Sequence, residues 1–419
     1  MPSPVLPARP AAGLWRDRAF RSLWLGQTAS QLGSQTAAVT VPLIAVVALG
    51  ADAVGLGFLR AAQQVPVLLL ALTVGALVDG WRTRAVMMWA DLGRAVALAV
   101  VPIAYILGVL GFPVLFTTAV AVGVLSVFFD IANQASLVRL LPRERLPQGN
   151  SALEGSRSAA HIAGPALGGG LVSLLSAPLA IVSSAFFFAC SFVAVRRIRR
   201  PEPVPEHAGG KARIRDGLRF VARDPALRTV AICSAAFQFS FAAFTTIYLV
   251  FLPRTLELPG AAVGLVFASM GPGALLGSLL AAALPRRLGY GAVMVASAAL
   301  GDLVLLCVPL LHGSGTATIA ALAGLNLLFG FFGPLTEVPI TAVRQAVTPV
   351  RLQGRVAATI NFVGMGMAPI GSLAGGFLAT GLGPRAGLFA MGAGLLLSPL
   401  VMVFSPLARL GRELPVGRG

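Results

Sequence analysis

The sequence has few charged residues, only three cysteines and a single lysine. Charged side chains make up 11% of the 419 residues, whereas 57% of the residues are hydrophobic. A water-soluble domain of this length would need far more polar surface, so the composition excludes one. Cys190, Cys233 and Cys307 lie in apolar stretches without the spacing of a disulfide framework or a metal site. The lysine, Lys211, is followed by Ala212, which excludes a Walker A phosphate loop and therefore ATP hydrolysis.

Signatures of catalysis and of nucleic-acid binding are also missing. We find no zinc-ligand pair, nucleophile elbow or dinucleotide fingerprint, so the sequence predicts neither an enzyme nor a bound metal or cofactor. The net charge of +17 does not indicate nucleic-acid binding, because 27 of the 32 basic residues fall on alternate loops and termini that would share one side of a membrane. This asymmetry follows the positive-inside rule, and the basic loops would contact anionic lipids.

What the sequence does contain is a repeated set of long apolar segments. The segment 16–21 recurs as 223–228, which is 207 positions later, and 53–56 recurs as 262–265 at an offset of 209. Each unit of about 200 residues consists almost entirely of apolar runs of roughly 20 residues, the length that crosses a bilayer. The sequence therefore predicts two copies of one membrane bundle, with a cavity at the pseudo-symmetry axis between them.

Twelve membrane spans can be drawn, six in each copy. We predict an all-α membrane protein with a first six-helix bundle over 1–198, a cytoplasmic loop with a short amphipathic helix over 199–225, and a second six-helix bundle over 226–419. The even number of spans and the basic loops place both termini in the cytoplasm. The predicted spans run near 20–49, 52–78, 85–110, 114–140, 150–176, 178–198, 226–252, 260–284, 290–312, 316–345, 353–380 and 385–408.

The turn between spans two and three holds the strongest local motif. The segment 75–84 resembles the Gly-x-Leu-x-Asp-(x)4-Arg signature of the major facilitator superfamily. The resemblance implies that Asp79 contacts the positively charged N-terminal end of span eleven, near 353–354, and holds the cytoplasmic gate shut. A solvated turn that obeys the positive-inside rule is the alternative. With two charged residues at the start of span three, the predicted gating residues are Gly75, Asp79, Arg84, Asp91 and Arg94.

A glycine-rich segment in span five resembles the core of the motif associated with antiporters in this superfamily. It comprises Gly164, Pro165, Gly168 and Gly169, in which the proline kinks the helix and the glycines form a smooth face. We expect the face with Gly164 and Gly168 to pack against the second half, on span eight. The upstream part of the motif is incomplete, so a plain packing motif remains the alternative.

Three further segments narrow the resemblance to one branch of the superfamily. The segments 20–27, 128–135 and 149–153 are similar to those of the branch that contains enterobactin exporters and macrolide-efflux proteins. The likeness extends over nearly the full chain. It implies export of a bulky, partly apolar molecule such as a drug, an antibiotic or a siderophore.

Acidic residues inside the spans are the candidates for proton coupling. Asp130 in span four shares a helix face with Asn133 and Gln134, and Glu337 in span ten lies 207 positions after Asp130. Ionisable groups within a membrane are costly and usually functional, so either acid is a candidate proton carrier. A static buried salt bridge is the alternative for both acids.

Other polar and aromatic residues complete the predicted substrate cavity. Arg60 in span two is the expected cationic partner of an embedded acid, and Asp302 in span nine is the reserve coupling residue. Span one carries a polar stripe and span seven an aromatic face, which would lie opposite each other; ordinary packing is the alternative for the aromatic residues. The predicted coupling and cavity residues are Asp130, Glu337, Arg60, Asp302, Gln27, Gln31, Asn133, Gln134, Asn326, Phe241 and Tyr248.

The sequence thus predicts a secondary active transporter of the major facilitator type. We expect a monomer in a bacterial inner membrane that exports a small molecule in exchange for protons. Two alternatives stay open: an uptake symporter or facilitator for a metabolite, and a transport-inactive sensor or scaffold built on the same bundle.

Overall fold

The computed structural model of the chain describes residues 14–142, 145–199, 214–349 and 352–413. Within these residues every regular element is helical. The twelve long helices, numbered as spans one to twelve, are Arg18–Leu43 with its wider continuation Ile44–Ala48, Ala53–Asp79, Thr83–Ile106, Phe112–Leu140, Leu146–Leu174, Ala177–Arg196 with a break at Ile181, Pro225–Arg254, Gly260–Ala281 with a break at Ser269, Tyr290–Leu306, Thr316–Val347, Gln353–Leu382, and Pro384–Val403 with a break at Leu396. The shorter helices are Leu14–Arg16, Ile214–Arg223, Leu284–Leu288, Val308–Leu310 and Pro406–Arg409.

Eleven of the twelve spans are long and apolar enough to cross a membrane. The exception is span five, whose 29 residues extend about 44 Å. It carries Glu154, Arg157 and His161, which lower its hydropathy. Span five packs against spans one and eight, while its Glu154, Arg157 and His161 side chains stay exposed. The all-α, twelve-helix prediction is therefore confirmed, although hydropathy alone would miss one helix.

The repeated Arg-Asp segments of the sequence turn out to be helix starts. Asp17 caps span one by accepting a hydrogen bond from the Ala19 amide at 2.9 Å. Asp224 caps span seven in the same way, with the Ala226 amide at 2.9 Å. Such a cap stabilises a helix by about 1 kcal/mol. The two aspartates lie 207 positions apart, so the repeat fixes equivalent starting points for the two halves.

Each half is a bundle of six spans with its own helix pairs. In the first half, span one packs on spans five and six, span three on spans four and six, and span two on span four. In the second half, span seven packs on spans eleven and twelve, and span ten packs on spans eight and nine. The main contacts between the halves are made by two pairs, span two with span eleven and span five with span eight.

The short helix Ile214–Arg223 lies just before span seven, within the loop where the sequence predicts an amphipathic helix. Its Val221 is buried with Leu227 and Val356, whereas Leu218 is exposed. Val221 therefore packs this helix on the start of span eleven.

The two halves touch closely at one end of the bundle. A Cβ added to Gly57 in span two would lie 2.7 Å from the Ser372 carbonyl oxygen of span eleven, and one added to Gly260 would lie 2.7 Å from the Val172 side chain of span five. The Arg254 side chain also donates a hydrogen bond across the halves to the Val46 carbonyl at 3.2 Å. We call this end, which holds the turn between spans one and two, the closed end.

At the opposite end, two glycines of the contacting helices have no close neighbour. Gly155 in span five and Gly354 in span eleven both belong to the helices that carry the contacts between the halves. A Cβ added at either glycine has no neighbouring atom within 4 Å, and both glycines are exposed. We call this the terminal end, because spans one and seven begin there.

Candidate functional site

A buried ion pair lies at the centre of the first half. Asp91 and Arg94, one turn apart in span three, are paired with each other and are 0% and 1% exposed. Asp91 also accepts hydrogen bonds from Ser191 at 2.5 Å and from Ser30 at 3.2 Å. Arg94 donates to Ser30 at 3.0 Å. The sequence assigned this pair to the gating network, but its described contacts are in the interior of the bundle, where two charges need each other and these hydroxyl groups.

Aromatic rings cover the Arg94 guanidinium on both sides. Its central carbon lies 4.3 Å from the centre of the Phe129 ring in span four and 4.3 Å from that of the Phe188 ring in span six. Both rings are buried. Such cation–π contacts contribute about 2 kcal/mol or more when they are desolvated. The guanidinium therefore holds spans three, four and six together.

The acid predicted in span four lies beside this network. Asp130 is exposed and interacts electrostatically with Arg94. Gln134, one turn further along, is also exposed, whereas the amide of Asn133 accepts a hydrogen bond from the buried Gln27 of span one. The structure thus brings the predicted polar residues of spans one and four together around Asp130. Gln31 is half-buried further along span one.

Arg60 does not have the partner that the sequence suggests. Among the residues that the structure describes, no ion pair includes Arg60, and its buried Nε has no hydrogen-bond partner. Arg60 shares a helix face with Gln64, whose side chain accepts a hydrogen bond from Ser372 of span eleven at 3.4 Å. The described residues do not show the predicted Arg60–acid pair, and the Gln64 side chain on this face of span two contacts span eleven.

The second half contains a cavity of about 150 Å³ between spans seven, nine, ten, eleven and twelve. Two of the predicted acids line it: Asp302 is buried at 3% exposure, and Glu337 is exposed. The Oδ2 atom of Asp302 has no hydrogen-bond partner in the described part of the chain. Phe237 and Phe329 form an apolar part of the wall. The structure therefore places the reserve candidate Asp302 and Glu337 in one site.

The aromatic face of span seven is divided between this cavity and the packed core. Phe241 stacks between Phe237 and Phe329, with ring centres 5.3 and 5.5 Å away. Tyr248 and Asn326 are each 2% exposed, and the Asn326 amide donates a hydrogen bond to the Tyr248 hydroxyl at 2.8 Å. These two residues were predicted to line the cavity, but they lie inside the core. There each supplies the hydrogen-bond partner that the other, as a buried polar group, needs.

The gating turn is only partly described. Span two ends at Asp79. The surroundings of Gly75 and of the Asp79 side chain lie outside the part that the structure describes. Arg84 donates a hydrogen bond to the Arg196 carbonyl at the end of span six, at 2.7 Å. The contact of Asp79 with span eleven therefore stays a prediction.

The glycine motif of span five packs differently from the prediction. A Cβ added to Gly168 would lie 3.0 Å from the Thr36 carbonyl oxygen of span one, and Gly164 also faces span one. Gly169 and Pro165 instead contact span eight, where Gly264 lies against both. The expectation that Gly164 and Gly168 face the second half is wrong. The reason is that one residue further along a helix turns the contact face by about 100°.

Within the described ranges, no three His, Cys, Asp or Glu side chains lie close enough to hold a metal ion. The arrangement instead consists of twelve membrane helices in two halves that pack on each other, with an exposed acid in each half. The family model of the Major Facilitator Superfamily matches residues 23–371. The chain belongs to this superfamily. It is therefore a multi-pass membrane protein of a transporter family.

The comparisons with individual proteins agree with this fold and family. The multidrug efflux pump Tap of Mycolicibacterium fortuitum is 29% identical over 375 residues, which cover 83% of this chain and 86% of the pump. The MFS-type transporter YfiS of Bacillus subtilis (strain 168) is 25% identical over 395 residues, 92% of each chain. A bacterial homologue of the iron transporter ferroportin, solved in an inward-facing state, has a TM-score of 0.75 at 17% identity and covers 92% of this chain and 98% of its own.

Some residues of these sites were not recognised in the sequence. Ser191, Phe129 and Phe188 surround the Asp91–Arg94 pair but lie in spans four and six. Their residue types are ordinary in apolar helices, so only the helix packing identifies them. The Asp91–Arg94 ion pair itself was recognisable in the sequence. An acid and a base three residues apart within an apolar helix are expected to pair with each other.

Proposed function

We propose that the chain is a proton-coupled exporter of a bulky, partly apolar small molecule. The observation that carries the proposal is the tight contact between the halves at the closed end, where span two meets span eleven and span five meets span eight. The positive-inside rule places the terminal end, with its basic loops, in the cytoplasm. With the halves in contact at the closed end, a space between them would open to the cytoplasm, where an exporter loads its substrate.

Solvent-accessible acids in both halves support proton coupling. Asp130 is exposed in the first half and Glu337 in the second, and the two lie 207 positions apart in the repeat. An acid that meets solvent between two mobile halves can load a proton on one side of the membrane and release it on the other. Asp130 also lies within reach of the charge of Arg94. A change in the Asp130–Arg94 separation would then alter how tightly Asp130 holds its proton.

Protons supply enough energy for this task. One proton that enters down a potential of about 150 mV releases about 3.5 kcal/mol. This free energy corresponds to a substrate gradient of several hundredfold, since about 1.4 kcal/mol is a factor of ten. The named relative Tap is a multidrug efflux pump, and its likeness to nearly the whole chain favours a drug-like substrate.

The experiment is transport into inverted membrane vesicles. A host without its own efflux pumps, expressing this chain, should resist at least one amphiphilic antibiotic or dye. Inverted vesicles from that host should accumulate the same compound when a proton gradient is applied, and a protonophore should abolish the accumulation. Loss of the compound from energised vesicles would indicate uptake in the cell, and no flux for any compound would indicate a transport-inactive protein. Either result contradicts the proposal.

A further inference from the structure

The repeat allows the interiors of the two halves to be compared residue by residue. Met87 and Met294 are both 0% exposed, and Leu98 and Leu305 are 1% and 2% exposed. Each of these pairs lies 207 positions apart, in spans three and nine. Equal burial at equal spacing shows that the two helices occupy equivalent places in their bundles at this offset.

At that offset, the filled centre of the first half corresponds to small residues in the second. Asp91, Arg94 and their neighbours occupy the interior of the first bundle, where Arg94 is among the largest fully buried side chains. The cavity of the second half lies at the corresponding place. Four small residues that line it take the positions of the buried network. The correspondences are Asp91 with Ala298, Arg94 with Gly301, Phe129 with Thr336, and Ser191 with Ser398.

The second half has an acid at this place, and no ion pair among the described residues joins that acid to a cation. Asp302 follows Gly301, is 3% exposed, and has an Oδ2 atom without a hydrogen-bond partner in the described residues. The charged residues that line the cavity are Asp302, Glu337 and Arg344, and no ion pair joins Arg344 to either acid within the described ranges. A buried carboxylate without a partner is strongly unfavourable, so the site favours a positive charge brought from outside.

The aromatic wall of the cavity also suits a cation. Phe237, Phe329 and Phe332 line it, as rings border the guanidinium of the first half. We propose that this cavity binds the cationic group of the transported molecule, an amine, amidine or guanidinium on an aromatic or apolar body, with Asp302 as its counter-ion. The bound group takes the place that Arg94 occupies in the first half. This assignment rests on the proposed export function and specifies the charge of its substrate.

The test measures the charge preference of the cavity without transport. The three native cysteines are replaced by alanine, and Thr336→Cys, in the wall of the cavity, supplies a reporter thiol. Its rate of modification is compared for 2-aminoethyl methanethiosulfonate, a cation, and 2-sulfonatoethyl methanethiosulfonate, an anion, in purified full-length protein. Asp302→Asn, which keeps the shape of the side chain, should lower the cation-to-anion rate ratio by about tenfold. Glu154→Gln, which removes an exposed acid of span five, should leave the ratio unchanged.

A second measurement identifies the occupant. Ethidium, a planar aromatic cation, should slow modification of the reporter thiol, and this protection should be lost in Asp302→Asn. A ratio that does not depend on Asp302 overturns the proposal, as does a cation-selective cavity that ethidium does not protect. These readouts need no proton gradient. A cation-selective, ethidium-protected cavity in a chain that fails in energised vesicles would therefore contradict the export function alone.

Discussion

Removing Arg94 should destabilise the first half far more than removing an exposed charge. Arg94→Met keeps most of the apolar volume but leaves the Asp91 carboxylate, which is 0% exposed, without its cation. Loss of one partner from a buried pair costs about 3–5 kcal/mol. The lost contacts with two aromatic rings add about 2 kcal/mol or more. A protein whose total stability is about 5–15 kcal/mol would then be close to unfolding.

A double variant separates the cost of the unpaired charge from the cost of lost packing. Asp91→Asn combined with Arg94→Met removes both charges, and Ser30 and Ser191 remain as hydrogen-bonding partners of the new amide. The double variant should be more stable than Arg94→Met alone by about 2 kcal/mol or more, because it leaves no isolated charge.

The chain offers a matched control for this comparison. Glu154 and Arg157 form an ion pair at the same three-residue spacing, but their side chains are 59% and 53% exposed. Arg157→Met should cost less than about 1 kcal/mol. The measurement is the free energy of unfolding of the purified proteins in lipid by steric trapping, with membrane insertion checked first. The explanation fails if Arg94→Met costs no more than Arg157→Met, or if the double variant is less stable than Arg94→Met.

The fold was predictable because the length and apolar composition of the spans identify them as membrane helices. Apolar runs of bilayer length and the repeated Arg-Asp segment determine twelve helices and two equivalent halves. The cap residues Asp17 and Asp224 explain why the repeat begins where it does. Span five was among the twelve predicted spans although it carries charged residues. A local hydropathy criterion leaves it out.

The candidate site was predictable only in part, because a sequence does not determine how each helix is rotated about its axis. That rotation decides whether Gly168 or Gly169 meets span eight, and which side chains of span two meet span eleven. Asp130 and Glu337 were recognisable as acids within apolar spans. The cavity beside Asp302 was not recognisable in the sequence, because small residues from helices far apart in the chain form part of its wall.

Three further predictions concern the transport cycle. Asp130→Asn and Glu337→Gln should each be tested for gradient-driven accumulation and for energy-independent exchange of substrate. The variant of the coupling acid should lose gradient-driven accumulation and keep exchange. If both variants keep gradient-driven accumulation, neither acid carries the proton. Asp79→Asn should increase labelling of the cytoplasmic vestibule, since contacts with helix ends are worth about 0.3–1 kcal/mol; unchanged labelling contradicts a latch. Gly169→Ala should hinder the contact at the closed end, because its Cβ would lie 2.6 Å from the backbone of span eight. The neighbouring Gly170→Ala is the control, since a Cβ there has no atom within 4 Å. Cysteines placed at the closed end should become accessible from the outer side in Gly169→Ala but not in Gly170→Ala. Equal accessibility in the two variants would show that this glycine contact does not control closure.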